Sequence, residues 1–373
     1  MGRARWTRRC PIPRNPLRVV LQNPGFAATA ARKPKLVGAV VRHRLLRRRR
    51  AARGLQTPSC LEYAVTYACQ ARCRHCSATT LESLDRERGR LDRLAVRRLA
   101  ADARALGVYE VNFTGGEPTL RKDLEELVAC FAPRRTFIGV NTNGDLLDAA
   151  RIRSLRDAGV DLLKLSLDSA DPAEHDGNRG LPGNHAHVID LLRLLRRTPG
   201  IRGHVCSVAT PDAIRSGSAA LLVDLAGRLG ATIGFTLPVA VGRWTGTYEH
   251  QLEDADMQAL RRLCRAPHTF FQGSVGTSSF ACPAGREDVY VTPDGEVLPC
   301  PFLQRSFGGV DEGLEPAYGR MAEAILRAGD GSLCLAADTQ RWMKAQLDPR
   351  TADAPTCADE HDQGFCRRPV ADA

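Results

Sequence analysis

Cys69, Cys73 and Cys76 stand in the run Cys69-Gln-Ala-Arg-Cys73-Arg-His-Cys76, a C-x3-C-x2-C spacing. Three thiolates on one short loop can hold three corners of a cubane iron–sulfur cluster and leave its fourth iron without a protein ligand. An open iron can bind a substrate or cofactor, which a four-cysteine electron-transfer site cannot do. Zinc is the plainer alternative, but it takes four nitrogen or sulfur ligands, usually from two matched knuckles, and no second knuckle lies nearby. Cysteines this close together also suit metal ligation better than a disulfide framework. A strand-like run, Leu61-Glu-Tyr-Ala-Val-Thr-Tyr67, leads into the three cysteines. Further on, Gly115-Gly116-Glu117-Pro118 follows a second such run, Val108-Tyr-Glu-Val-Asn-Phe-Thr114. A lone Gly-Gly would be a weak turn signal; here it repeats the position of the cysteines at the end of a strand.

Together these residues resemble the radical S-adenosylmethionine (SAM) superfamily. Its signature is C-x3-C-x-φ-C after the first barrel strand and a GGEP-type motif after the second. The φ position is usually aromatic, and His75 occupies it here. The resemblance implies a [4Fe-4S] cluster on Cys69, Cys73 and Cys76, with the amine and carboxylate of SAM chelating the fourth iron. An electron from an external donor, such as flavodoxin or ferredoxin, then breaks the C5′–S bond. The resulting 5′-deoxyadenosyl radical abstracts a hydrogen atom, and the protein supplies orientation and water exclusion. In that scheme Gly115 and Gly116 let backbone carbonyls approach the amine, because a side chain there would obstruct. Glu117 and Pro118 shape the turn. Polar residues at the strand ends reach the ribose and the methionine carboxylate, which carries over to Ser166, Asn143 and Asp168. Arg179, in the run His175-Asp-Gly-Asn-Arg179-Gly180, is a candidate carboxylate clamp through its bidentate fork; an ordinary salt bridge is the alternative. Arg72 and Arg74 are either cations beside the cluster or solvated surface.

A second cysteine pattern begins at Cys282 and reaches Cys300 across Asp294-Gly295, a two-residue hairpin signal between alternating strands. It resembles the opening of a SPASM or shorter Twitch domain, which carries auxiliary iron–sulfur clusters. The later block of closely spaced cysteines in that pattern is absent. The remaining Cys334, Cys357 and Cys366 are enough for one auxiliary cluster, expected on Cys282, Cys300, Cys357 and Cys366 with Cys334 as a substitute. Cys10, Cys60, Cys130, Cys206 and Cys264 read as small buried hydrophobes. Of these, Cys206 and Cys264 are the candidate hydrogen donors to a substrate radical.

The elements that must position these residues alternate. Strand candidates are 61–67, 108–114, 136–141, 161–167, 203–209 and 231–237, short and bounded by Gly, Pro, Asn or Asp. Helical patterns cover 91–106, 122–131, 147–158, 185–197, 215–229 and 254–265. Such alternation implies an α/β fold with a parallel sheet and right-handed crossovers. Six repeats rather than eight imply a partial (β/α)6 TIM-like barrel, open on one side, which the resemblance also implies. The expected division is a basic, poorly ordered leader over 1–55, a barrel over 56–265 and a small SPASM/Twitch-like iron–sulfur domain over 266–373. Within the leader, 36–53 can form a basic helix.

The chain has 373 residues, 43% hydrophobic and 25% charged, and a net charge of +11. Residues 1–55 hold fourteen Arg and two Lys and no acid; removing those sixteen from 53 leaves 37 basic against 42 acidic residues, a net of −5. The body is therefore mildly acidic, and all excess basicity is in the leader. A nucleic-acid or anionic-membrane arm is one reading of the leader. Few aromatics accompany the basic run, which argues against a single-strand binder. An Arg-rich, acid-free leader also resembles an organelle transit peptide. No uninterrupted apolar stretch approaches the roughly eighteen residues of a membrane span, and the N-terminus lacks a secretory pattern, so a reducing cytoplasm is expected. The functional expectation is an oxidoreductase that dehydrogenates or epimerises an aminocyclitol or sugar-like small molecule in specialised metabolism. The alternatives are a maturase that crosslinks or epimerises a ribosomally made peptide and a nucleic-acid-associated protein with a structural cluster.

Overall fold

The computed structural model describes residues 24–79, 90–271, 282–327 and 334–337. The six expected strands are present, as β1 Cys60–Ala64, β2 Glu110–Thr114, β3 Phe137–Thr142, β4 Leu162–Ser166, β5 Arg202–Val208 and β6 Thr232–Thr236. Each pairs in parallel with the next, with Cys60 opposite Glu110 and Ser166 opposite Cys206. Period-two alternation sorts their side chains. Leu61, Tyr63, Val111, Phe113, Ile138, Val140, Leu163, Leu165, Val205, Ile233 and Phe235 are buried in one apolar core with the surrounding helices. The intervening positions face the barrel interior and are largely polar.

Caps in the sequence set the helix ends. Arg93–Leu106 begins at Asp92, whose side chain accepts from the Ala95 amide, and stops at Gly107 in the left-handed region (φ 98°). The run His175–Gly180 is the end of a helix, Pro172–Arg179, capped by Asp171 and by Gly180.

Three features differ from the sequence reading. First, the sheet extends beyond six strands. β7 Thr269–Phe271 pairs with β6, and β8 Asp288–Val291 pairs in parallel with β1 on the opposite side, with β9 Val297–Leu298 antiparallel to β8. The order is β7-β6-β5-β4-β3-β2-β1-β8-β9, a partial TIM-like α/β barrel left open between its two end strands. Second, the Asp294-Gly295 hairpin forms, but it belongs to this sheet. Val289, Val291 and Val297 share one core with the barrel strands, so the expected boundary at 265/266 does not divide two cores. Third, the basic helix expected over 36–53 is present but is preceded by another helix in the stretch expected to be poorly ordered. In chain order the two are Pro24–Arg32 and Pro34–Ala51.

That second helix floors the barrel. Leu36, fully buried, packs with Phe137 and Leu162 at the strand beginnings, and His43 Nδ1 donates to the Gly107 carbonyl at 3.0 Å. The basic side chains bolt it on. Asp161 accepts from Lys33 Nζ at 2.5 Å and Arg32 Nη2 at 2.8 Å, Arg47 pairs with Glu287 at 3.0 Å, and Arg50 pairs with Glu315 at 2.5 Å. Four of the leader's sixteen basic residues, Arg32, Lys33, Arg47 and Arg50, thus answer acids of the fold. Among the described residues no helix is long and apolar enough to cross a membrane.

Candidate active site at the carboxyl ends of the strands

The cysteine loop crosses the mouth of the barrel directly after β1. Its backbone is pinned from two sides. Arg72 N donates to the Arg179 carbonyl at 2.9 Å and Arg74 N to the Asn178 carbonyl at 2.8 Å. On the other side, Gly116 N donates to the Thr66 carbonyl at 2.7 Å and Glu117 N to the Ala68 carbonyl at 2.8 Å. A Cβ on Gly115 would collide with the Thr66 carbonyl, and one on Gly116 with the carbonyls of Tyr67 and Ala68. The glycines are therefore required by packing of the second strand's loop onto the cysteine loop. That is a reason the sequence did not supply.

Glu117 is almost fully buried and joins three loops. Its carboxylate accepts from Thr119 N at 3.0 Å, Thr119 Oγ1 at 2.5 Å, Thr142 Oγ1 at 2.7 Å and Asn143 N at 2.8 Å. Burial pushes its carboxyl above the usual range, against these hydrogen bonds. Glu117 is therefore a structural tie between the ends of β2 and β3. Pro118 starts the short 3-10 turn Pro118–Leu120 behind it. Asn143 is held in turn by Gln70 Nε2 at 3.3 Å, and its own Nδ2 approaches Cys69 Sγ at 3.9 Å.

A cavity of about 630 Å³ opens over this loop, lined among others by Cys69, Cys73, Cys76, Gly115, Gly116, Asn143, Ser166 and Arg179. The structure thus brings the sequence-predicted residues together. Of the residues expected to hold the first cluster and SAM, only Pro118 and Asp168 stand outside the lining. Arg179 and Asp168 form a buried ion pair, Nη2 to Oδ1 at 2.7 Å, while Arg179 Nη1 lies 3.7 Å from Cys73 Sγ. The guanidinium is already engaged by Asp168, so the fork expected to clamp a free carboxylate instead sets a cation beside a cysteine sulfur. Arg72 and Arg74 are exposed. Burial works against the Asp168 anion, yet Arg179 and the nearby histidines hold its carboxyl below the usual range. His75 lies 3.9 Å from Asp168 and tilts against Trp244; burial takes its pKa down to about 4, so it is neutral near pH 7. Trp244, stacked on His250 with centroids 4.2 Å apart, had no signal in the spacing of motifs.

The donor set fits a cluster. Burial pushes the Cys69 thiol up to about 11 and raises that of Cys73, so without metal the thiols stay protonated and binding a cationic centre would release their protons. No group of three or more His, Cys, Asp or Glu among the described residues stands at single-ion spacing. Cysteines that serve different irons of a cubane stand farther apart than the ligands of one ion.

A second cavity, of about 400 Å³, lies inside the barrel beneath the first and shares Thr114 and Asn141 with it. Cys282, Cys300 and Cys334 line it together. Burial first, then the neighbouring thiols of Cys282 and Cys334, push Cys300 far up. Cys334, the expected substitute, is thus the residue found with the pair, while Cys357 and Cys366 lie outside the described residues. Of the candidate hydrogen donors, Cys206 alternates inward on β5 opposite Ser166. Cys264 caps the helix Asp254–Leu263, packs against the apolar core and lines neither cavity, which places it away from the mouth.

The radical SAM superfamily model matches residues 63–210, from β1 to just beyond β5. Mycofactocin maturase MftC of Mycobacterium ulcerans is 28% identical over 263 residues, 67% of this chain and 70% of that protein. PqqA peptide cyclase of Methylobacterium nodulans is 30% identical over 271 residues, 66% of this chain and 67% of that protein. In fold, the chain is similar to Streptococcus suis SuiB bound to the precursor peptide SuiA, with a TM-score of 0.60 at 18% identity, covering 74% of this chain and 70% of that one. The chain belongs to the radical SAM superfamily, and its relatives are of the SPASM type. It is a radical SAM enzyme, a class that binds a [4Fe-4S] cluster and SAM. The chain spans about two thirds of the length of these curated relatives.

Proposed function

We propose that this enzyme oxidatively modifies a ribosomally made peptide, forming a crosslink or otherwise removing hydrogen from one of its residues. The observation that carries this reading is that the two cavities adjoin, sharing Thr114 and Asn141 in their linings, with Cys69, Cys73 and Cys76 on one and Cys282, Cys300 and Cys334 on the other. A substrate group entering the barrel would sit between two cysteine triads, one suited to starting a radical reaction and one to accepting an electron afterwards. Peptide enters as the substrate class because relatives matched over two thirds of their length include a peptide cyclase. That favours the maturase alternative over the aminocyclitol or sugar expectation.

In this reading Cys69, Cys73 and Cys76 hold the cluster that binds SAM, and together these supply a hydrogen-abstracting carbon radical when bound. Gly115, Gly116, Glu117 and Pro118 keep the second loop against the cysteine loop. Asn143 and Ser166 offer polar contacts at the mouth. Asp168 acts indirectly, by fixing Arg179 beside Cys73. Cys282, Cys300 and Cys334 hold three corners of one auxiliary cluster, completed by a ligand outside the described residues or by solvent. The test is anaerobic reconstitution with an iron count, then incubation with reductant, SAM and precursor peptides encoded near the gene. About eight irons per chain are expected, falling to about half in Cys282→Ser. The peptide product should be lighter by two hydrogens, and Cys73→Ala should release no 5′-deoxyadenosine. A wild-type protein with about four irons, or one that cleaves SAM yet alters no peptide while oxidising an amino sugar, overturns the proposal.

A further inference from the structure

The interior cavity carries charges that the radical chemistry does not use. Glu62 on β1, Glu110 on β2 and Asp288 on β8 point inward from three adjacent strands, with Cys60 opposite both Glu110 and Asp288 in register. Lys164 on β4 faces them. The side chains of Glu62, Asp288 and Lys164 make no hydrogen bond or ion pair with any described residue; what surface they keep faces the cavity. Asn112, only 2% exposed, donates to Glu110 and Cys60 but leaves its Oδ1 without a partner on the same lining. Two other cations touch the cavity. Arg44 belongs to the floor helix, and the charged neighbours of Arg202 are Asp161 and Arg32. His204 is neutral, its Nδ1 sharing a hydrogen bond with Thr232 Oγ1 at 2.7 Å. Inside the barrel, then, three carboxyl groups and a buried amide oxygen confront one ammonium.

Carboxyl groups without a partner in a low-dielectric cavity are pushed towards the neutral acid, as burial does to Glu62 and Asp288, and an arriving cation would restore their charge. We infer that the barrel interior is a binding site for an ammonium or guanidinium group carried on a flexible stem, which selects a lysine or arginine residue of the substrate. The geometry matches the reach of such a stem. Ala64 and Thr114 are paired at the rim, and Glu62 and Asn112 are paired two residues deeper, about 7 Å at ~3.3 Å per residue. A residue with its Cα at the rim, beside the mouth where hydrogen would be removed, would lay its stem along Asn141 and Tyr290 and place its charge at Glu62. The identity of the ligand as a peptide residue rests on the function proposed above; the demand for a cation does not, since an amino sugar carries the same group.

The test is calorimetric binding to the anaerobically reconstituted holoenzyme with SAM. The probes are end-blocked pentapeptides, glycine throughout except for a central lysine, arginine, norleucine or glutamate, together with the aminocyclitol 2-deoxystreptamine. Lysine and arginine peptides should bind at least ten-fold more tightly than norleucine, and glutamate more weakly still. Glu62→Gln and Asp288→Asn should each shrink that preference several-fold. Lys164→Met should enlarge it, a gain that misfolding cannot imitate. Equal binding of lysine and norleucine peptides overturns the cation site and leaves the peptide reading standing. Binding of 2-deoxystreptamine with no peptide bound supports the cation site and overturns the peptide reading. Binding of none of the probes overturns the inference.

Discussion

Replacing Arg179 by methionine isolates the buried ion pair beside the cysteine loop. Arg179 is 9% and Asp168 7% exposed, and their charged atoms lie 2.7 Å apart. Loss of the guanidinium leaves the Asp168 carboxylate in a site that water scarcely reaches. His75, 3.9 Å away, is neutral at pH 7 in the intact protein, chiefly through burial and in part through Arg179. Stranding one member of such a pair costs about 3–5 kcal/mol. The double variant Arg179→Met/Asp168→Asn removes both charges and should recover at least about 2 kcal/mol of that loss, a coupling typical of residues in direct contact. Urea unfolding of the metal-free protein at pH 7, followed by circular dichroism, measures each corner of the cycle. The pH dependence carries a sign. Asp168 has a folded pKa below its unfolded value, so its contribution is fully present above about pH 4 and is lost as pH falls through the lower folded value. In Arg179→Met burial is left to raise the carboxyl above its unfolded value, so the sign reverses and the variant should recover stability as pH falls through that raised value. A loss below about 1 kcal/mol for Arg179→Met, or a double variant equal to the sum of the singles, refutes the reasoning.

Three other outcomes follow from the geometry. In the reconstituted enzyme, Arg179→Gln should lower the midpoint potential of the SAM-binding cluster by on the order of 50 mV, because a cation near a cysteine sulfur favours the more negative, reduced form; an electron-paramagnetic-resonance redox titration reads it. Gly116→Ala should abolish cluster retention after reconstitution, since its methyl would displace the carbonyls of Tyr67 and Ala68 that shape the cysteine loop; the iron count and visible absorption check this. Leu36→Ala should destabilise the fold by about 2–5 kcal/mol, although Leu36 lies in the leader, because it fills the barrel floor against Phe137 and Leu162; urea denaturation measures it.

The sequence alone determined the cysteine loop, the six barrel strands and their order, because each is written locally. Ligand spacing is a property of one short loop, and short apolar runs between Gly, Asn and Asp mark strands wherever they pack. It also marked Asp294-Gly295 as a turn. Tertiary structure decided what that turn belongs to, since a parallel pairing of β8 with β1 joins residues far apart in the chain and leaves no local trace. The same holds for Arg32, Arg47 and Arg50 of the leader, whose partners Asp161, Glu287 and Glu315 are far along the chain. Glu62 and Lys164 had a faint signal, as charges at inward-phased positions of strands, but only closure of the sheet shows that they face one another. Arg179 was legible as a functional arginine and not as a partner of Asp168 and Cys73. Which group a side chain meets is fixed by packing across the barrel, where residues distant in sequence are held within a few ångströms.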